Sequence, residues 1–266
     1  MALAIATNNG ALQAAAAASS VNRSMETSME RLSTGMRINS ASDDAAGVAI
    51  SSRLSAEIRG TNQSIRNALD GQSLIDTAEG AHKEVENLLQ RMRELAIQAA
   101  NGTNDADDIT NLEAEFTALS TEITRIGEVT SFAGKALTGT DATAFSFQVG
   151  SGTATANQIS VTINSIKSAS IGTDSGTQLS AVVTAGLDDL TETNAAIVVI
   201  DDAIKEVNTQ RSELGAVSNR LNHTVNNLTN MSANLSSAQG RIQDADFALE
   251  TTELAKNQIL QQASTA

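Results

Sequence analysis

A heptad pattern between Leu74 and Ala99 constrains the fold of this chain more than any other feature of its sequence. Apolar residues follow one another there at alternating spacings of four and three residues without a break. They are Leu74, Ala78, Ala81, Val85, Leu88, Met92, Leu95 and Ala99. The pattern predicts a long helix that packs lengthwise against other long helices. The 266 residues include no proline, so the main helix breaker is absent.

Two further stretches repeat this pattern and are candidates to pack against the first. Apolar residues from Ile109 to Ile126 predict a shorter helix that folds back antiparallel after a break at residues 101–104. Those from Ile200 to Ile242 predict a second long helix. Arg211 and Ser218 stand in that helix at positions where the pattern calls for an apolar residue.

The two ends of the chain predict helices that have little to bury. Residues 1–37 form a weak amphipathic pattern, and Gly35 is a candidate helix stop near its end. Ser42 or Asp43 is a candidate N-cap for the long helix that follows. A last helix begins after residues 244–247. Small apolar side chains bury little area, so we expect both terminal helices to be unfolded in the isolated chain and to need partners.

The middle of the chain has a different composition, dominated by Gly, Thr and Ser from residue 131 to 186. Residues 145–149 and 159–163 alternate apolar and polar side chains, with Gly150 and Gly152 between them, which predicts two strands of a hairpin. The predicted fold class is therefore mainly α, with long antiparallel helices forming a rod-like bundle and a small β-hairpin region in the middle of the chain.

Charge and composition disfavour several classes of function. The chain has 17 basic and 31 acidic residues, a net charge of −14 that disfavours binding to nucleic acid. No apolar stretch of about 18 residues predicts membrane insertion. Met1–Ala18 carries no basic side chain, so we expect no cleaved signal peptide. The absence of cysteine fits either the cytosol or an export route without oxidative folding.

No group of residues predicts catalysis. His82 and His223 are isolated, and neither has a second His or Cys at ligand spacing. Residues 104–108 are acidic but lack the Gly and the terminal Glu of a calcium loop. Residues 150–152 lack the Lys that follows in a phosphate-binding loop. We therefore expect no enzymatic activity and no catalytic, metal-binding or cofactor-binding residues.

Five stretches nevertheless carry a specific resemblance. They are Arg31–Ile50, Leu89–Ala96, Leu214–Leu221, Ser236–Asp246 and Ala255–Ala263. Together they resemble bacterial flagellin, the filament subunit of the flagellum, in a short form without large outer surface domains. Hook-associated junction proteins share parts of the pattern at the two ends, but the full set is similar to filament flagellin.

The resemblance implies a layered organisation with coiled-coil terminal helices. Residues 1–43 would form the N-terminal inner-core helix and a spoke linker, and residues 44–243 a helical rod domain that includes the hairpin region at about 131–186. Residues 244–266 would form the C-terminal inner-core helix. Flagellins of this kind continue for about four more helical turns, so we expect the C-terminal helix to be truncated at Ala266.

Residues 33–44, which join the inner and outer layers, could be an ordinary linker or could be wedged between subunits. Its dense polar side chains can satisfy backbone groups, which suits the second interpretation. The resemblance implies that the following residues form the spoke and contact other subunits: Arg31, Leu32, Gly35, Arg37, Ile38, Asn39, Asp43 and Asp44.

The resemblance also implies the partners and the location of the chain. It implies a homo-oligomer, a helical filament of many copies outside the cell that serves motility, reached by type III export of an unfolded chain. The implied partners are an export chaperone, cap proteins and hook-associated proteins, with no nucleic acid, no membrane insertion and no cofactor. The alternative is a hook–filament junction protein or a secreted helical interaction protein.

A last implication concerns recognition by a vertebrate Toll-like receptor. In flagellins that this receptor recognises, an Arg, a Leu and a Glu form the contact core, and they correspond to Arg91, Leu95 and Glu115, with Gln90 and Arg93 beside them. An Arg with a Leu anchor is a typical hot-spot pair. Two alternatives stay open: the charged residues could be a solvated helix face, and Leu95 also fits the heptad pattern of the core.

Overall fold

The computed structural model of the chain describes residues 8–139 and 143–265. Its helices are α1 (Asn9–Thr34), α2 (Ala45–Ala99), α3 (Ala106–Val129), α4 (Leu179–Ala185), α5 (Leu190–Gln243) and α6 (Phe247–Thr265). Its strands are β1 (Ser131–Phe132), β2 (Lys135–Ala136), β3 (Thr143–Gln148) and β4 (Gln158–Ile163). The mainly α fold class with a small hairpin region is confirmed.

The chain divides into two compact units. The terminal unit comprises Met1–Gly60 and Asn230–Ala266, and the central unit comprises Thr61–Thr229. The long helices α2 and α5 contribute residues to both units.

The central unit is built on the apolar face of α2. All members of the predicted heptad are buried except Leu88, which is half-buried. A second buried row shares four residues with the predicted heptad and adds four others to the buried face. It consists of Ile75, Ala78, His82, Val85, Leu89, Met92, Ala96 and Ala99. The buried face is wider than a heptad line because α2 packs against more than one partner helix. Phe116 and Ile123 of α3 and Val199 and Val207 of α5 belong to the same core.

Two ion pairs show that α5 runs antiparallel to α2. Glu86 pairs with Arg211, and Arg93, further along α2, pairs with the earlier residue Asp201 of α5. The predicted helix from 109 to 126 is α3, which begins at a capping box between Asp105 and Asp108. In such a box two side chains satisfy backbone N–H groups that the first helical turn leaves unpaired.

The predicted hairpin is confirmed, with β3 and β4 antiparallel and Phe147 opposite Ile159. Ile159, Val161 and Ile163 point into a second part of the core that also contains Leu74 and Leu214. Alternation along the strand thus places one face of the hairpin on the helices. The sequence pattern missed α4, whose Leu179 and Val182 are buried in a region expected to be loop.

The terminal unit consists mainly of α1 packed against α6. The predicted helix stop is confirmed: Gly35 has φ +71°, a left-handed conformation that favours glycine, and its N–H donates to the Arg31 carbonyl. Ser28 is the one residue of the described part of α1 that is buried. The spoke segment, which we define as residues 35–44, then forms an antiparallel bridge between Met36 and Asp244.

The predicted N-cap of α2 was wrong. The N-cap is Asp44, whose Oδ1 accepts a hydrogen bond from the Gly47 N–H at 2.9 Å. Ser42 and Asp43 lie before it in the chain. The Asp43 carboxylate is already engaged with the backbone of the spoke segment. An N-cap side chain accepts from the N–H two or three residues later, and Asp44 fulfils the second spacing.

The width of the buried face of α2 leads to a first prediction. Leu89 is 0% exposed and Ile97, on the same helix, is 49% exposed. We expect Leu89→Ala to lower the free energy of unfolding of the central unit by about 2–5 kcal/mol, because it removes transfer energy and leaves a cavity. Ile97→Ala is the control and should cost under about 1 kcal/mol. Equal costs for the two variants in urea unfolding would contradict this packing.

Candidate interaction surfaces

The central unit carries a charged surface that we call the arginine patch, formed by Gln90, Arg91, Arg93, Glu94, Glu115 and Asp201. Arg91 lies at its centre and joins α2 to α3. Its Nε donates to Glu115 Oε1 at 2.9 Å, and its Nη1 donates to Glu94 Oε2 at 3.1 Å. The side chains of Arg91 and Glu115 remain 48% and 46% exposed, so both can also reach a partner.

Arg93 forms the other side of the patch and joins α2 to α5. Its Nε donates to Asp201 Oδ1 at 2.6 Å. Gln90 is exposed beside Arg91, and its amide donates to Glu86 at 3.4 Å. The patch thus presents two arginines whose positions are set by carboxylates on two different neighbouring helices.

The carboxylates also stabilise the charged form of the two arginines. The hydrogen bond that Arg91 donates to Glu115 raises the pKa of Arg91, and the one donated to Glu94 adds to it. The hydrogen bond that Arg93 donates to Asp201 raises the pKa of Arg93. Both guanidinium groups therefore stay charged under any physiological condition, and the patch does not titrate through its arginines.

Leu95 does not belong to the exposed patch. It is 1% exposed and lies in the core with Met92 and Phe116. In this fold its side chain is out of reach of a partner, so the core alternative describes its position. The physical reason is that Leu95 belongs to the predicted heptad, which lies on the buried face of α2.

The spoke segment in the terminal unit is held by hydrogen bonds rather than by apolar packing. The Arg37 guanidinium donates to the Ile242 carbonyl at 2.6 Å, and its backbone N–H donates to the Gln243 carbonyl at 2.7 Å. Asp43 accepts from the backbone N–H groups of Ser40 at 2.8 Å and Asn39 at 3.0 Å. These bonds, that from Ser40 first, lower the pKa of Asp43.

The remaining predicted spoke residues divide into exposed and internal ones. Arg31 donates to Glu250 of α6 at 2.9 Å, Leu32 is half-buried and Ile38 is buried. Asp44 caps α2, as described above. Gly35, Arg37, Asn39 and Asp43 are exposed and are the members of this set that a second molecule could reach.

Sequence reasoning missed a set of exposed large apolar side chains on the terminal unit. Their exposure runs from 43% to 67% in Leu12, Met29, Phe247, Leu249, Ile259 and Leu260. The signal was present in the sequence, because apolar residues on both α1 and α6 spread beyond one helix face. A helix that is apolar on several faces needs more partners than a single neighbour.

Comparisons with known proteins agree with these features. A family model described as the bacterial flagellin N-terminal helical region matches residues 5–142, and one described as the C-terminal helical region matches residues 197–266. A flagellin from Halalkalibacterium halodurans is 44% identical over 90% of this chain and 84% of its own length. The chain belongs to the bacterial flagellin family. A Bacillus subtilis flagellin is 42% identical over 93% of this chain and 89% of its own length.

A solved structure supports the fold of this flagellin-family chain. A Vibrio parahaemolyticus protein described as a flagellar hook-associated protein superimposes with a TM-score of 0.66, covering 76% of this chain and all of that chain. Its sequence is 16% identical, so the similarity concerns the fold.

Membership in the flagellin family gives the class of function. Flagellins are structural proteins that polymerise into the flagellar filament outside the cell, and they are not enzymes. Among the residues that the structure describes, no group of His, Cys, Asp and Glu is arranged to hold a metal ion. Over the same residues, no helix has both the length and the apolar character needed to cross a membrane.

The ion pair between α1 and α6 generates a second prediction. The Glu250 side chain is 8% exposed and its partner Arg31 is 32% exposed. We expect Glu250→Gln to destabilise the packing of α1 on α6 by about 1–2 kcal/mol, because it weakens a charged hydrogen bond. The partial exposure of Arg31 keeps the loss in this modest range. In assembled filaments, where we expect α1 to be folded, hydrogen exchange in the second half of α1 should become faster. The control is Glu253→Gln, because the exposed pair of Glu253 with Lys256 lies within α6. An equal acceleration of hydrogen exchange in Glu253→Gln would contradict the prediction.

Proposed function

We propose that this chain joins its filament by burying the apolar side chains of α1 and α6 between copies. The observation that supports this most directly is the exposure of large apolar residues throughout the terminal unit, together with a single buried residue in the described part of α1. Each large apolar side chain that becomes buried contributes about 1.5–3 kcal/mol. A single copy leaves several such side chains in water, so their burial between copies would drive polymerisation.

We assign layers to the chain on the same basis. Residues 1–43 and 244–266 would form the inner core, with the exposed members of the spoke segment in contact with other subunits, and residues 44–243 would form the outer helical domain. The support is the contrast between the units: the central unit has an extended apolar core and leaves a few large apolar residues exposed, whereas Ile38 is the large apolar residue buried in the described part of the terminal unit. That the termini are unfolded in the isolated chain stays a prediction, and residues 1–7 lie outside the described part.

We also propose export of the unfolded chain, with an export chaperone, cap proteins and hook-associated proteins as partners, and a role in motility. Family membership and the apolar terminal helices support this, because such helices need a cover before assembly. The hydrogen-bonded spoke segment fits a filament subunit and a junction protein equally. The sequence identity of 42–44% to two flagellins favours the filament subunit.

For the free subunit, we propose that the arginine patch is read by a vertebrate Toll-like receptor. Arg91 and Glu115 would make the direct contacts, flanked by Gln90 and Arg93, while Leu95 would support Arg91 from the core beneath. A half-exposed guanidinium that is already oriented by carboxylates loses little conformational freedom on binding. That pre-organisation makes Arg91 the strongest hot-spot candidate of the patch.

The receptor proposal gives a third prediction. We expect Arg91→Ala to lower the potency of receptor activation by at least about tenfold, because a hot-spot arginine is removed. The control is Arg125→Ala: Arg125 is also exposed and also pairs with a carboxylate, Glu122, but lies outside the patch. Reporter cells that carry the receptor provide the measurement, and circular dichroism checks that both variants fold. Unchanged potency of Arg91→Ala would contradict the proposal.

The assembly proposal gives a fourth prediction. Phe247 and Leu249 are 67% and 61% exposed. We expect the double variant Phe247→Ser, Leu249→Ser to leave the folding of the free chain unchanged and to reduce the yield of filaments in sedimentation and negative-stain microscopy, because the apolar contacts between copies are lost. The matched control is Ala248→Ser, between them on α6 and exposed. Normal filaments from the double variant would contradict the proposal, because Phe247 and Leu249 would then lie outside the contacts between copies.

A further inference from the structure

A buried histidine in the core of the central unit has no role in the functions described so far. His82 is 0% exposed and occupies a row of α2 whose other members are apolar. Arg211 of α5 stands at one of the two positions where the heptad pattern of α5 lacks an apolar residue. It pairs with Glu79 and Glu86, which lie on α2 before and after His82. A titratable side chain and an arginine therefore share the place where two long helices pack.

The hydrogen bonds of His82 define its protonation state. Its Nδ1 lies 2.7 Å from the Ala78 carbonyl oxygen. Because a carbonyl can only accept, Nδ1 carries the hydrogen and donates, so Nε2 of the neutral ring holds a lone pair. Nε2 is buried and has no hydrogen-bond partner among the described residues. A proton added to Nε2 would therefore create a buried N–H without an acceptor.

The charged groups around the ring do not compensate for such a proton. On α5, Arg211 presents a like charge, and its own Nε is also buried without a partner. On α2, Glu86 is engaged by Nη1 of Arg211, and Glu79 lies 3.5 Å from Nη2 of the same arginine. Both carboxylates that could stabilise an imidazolium are thus already paired with Arg211.

Burial lowers the pKa of His82, and the positive charge of Arg211 lowers it further, against opposing contributions from the Ala78 hydrogen bond and Glu79. A histidine whose pKa is lower in the folded state than in the unfolded state favours folding only while it is neutral. Its contribution is present above the unfolded pKa of about 6.5 and is lost as the pH falls from there to the folded pKa.

We propose that His82 and Arg211 form an acid-sensitive joint between α2 and α5, in which protonation of His82 loosens the packing of the two helices in the central unit. The protonated ring is accommodated in conformations where α2 has moved away from α5 and Nε2 reaches water. Acid therefore shifts the population toward those conformations. The joint acts on the free subunit and does not depend on the proposed contacts in the filament or with the receptor.

The first test is a nuclear magnetic resonance titration of the dilute chain. The sequence contains two histidines, so the spectrum contains two imidazole signals, and His223→Gln identifies the signal of His82. We expect His82 to titrate at a lower pH in the folded chain than in the same chain unfolded in urea. A midpoint equal to or above that of the unfolded chain would overturn the proposal.

The second test compares unfolding as a function of pH. We expect the unfolding constant of the wild type, divided by that of His82→Leu, to rise below pH 6.5 by up to about tenfold for each pH unit. Contributions of other groups cancel in this ratio. His223→Gln is the matched control, because His223 is exposed on α5, and it should follow the wild type. A ratio that does not change with pH would overturn the proposal.

A third measurement locates the loosening. Hydrogen exchange, corrected for the intrinsic effect of pH, should become faster on acidification in residues 78–89 of α2 and 205–215 of α5 in the wild type. The acceleration should be absent in His82→Leu. If His82→Leu does not fold, His82→Gln supplies a side chain of similar size that does not titrate. The same acceleration in wild type and variant would overturn the proposal.

Discussion

The burial of one face of α2 against α3 and α5 is the interaction on which the rest of this structure depends. With aromatic residues at only 2% of the chain, the core is filled by aliphatic side chains and alanines along the length of the helices. Stability then comes from the summed area of a long contact rather than from a few large side chains. The hairpin β3–β4 packs Ile159, Val161 and Ile163 in a second cluster that also contains residues of α2 and α5.

The charged side chains at the edges of that face are held by the same packing. Arg91 and Arg93 of α2 reach carboxylates on α3 and α5, and Arg211 of α5 reaches a carboxylate on α2. Exposed ion pairs contribute little to stability, so the pairs of Arg91 and Arg93 matter for what they orient. Because their partners lie on different helices, the arrangement presented to a binding partner exists only when the three helices are packed. Recognition of this surface is therefore coupled to the fold of the central unit.

The terminal unit follows a different physical logic. Its helices leave Phe247, Leu249 and Ile259 in water, and the spoke segment relies on hydrogen bonds from Arg37 and to Asp43. Exposed apolar helices are costly for a free protein and useful for one that polymerises. Membership in the flagellin family, whose proteins build the flagellar filament, agrees with this division between a self-sufficient central unit and a terminal unit with unfilled apolar surface.

The sequence by itself determined the long helices, the hairpin and the stop at Gly35, because periodicity and glycine report local backbone preferences directly. Its heptad placed Leu95 on a buried face, and its resemblance to flagellin placed Arg91 and Glu115 on facing helices. Tertiary structure alone decided that α4 forms, that Leu89 is buried more fully than Leu88, and that Asp44 caps α2. A heptad identifies the centre of an apolar face, but the number of helices that cover it sets the width of the face. For the same reason only packing could show that His82, isolated in the sequence, is buried on α2 between the two carboxylates that pair with Arg211.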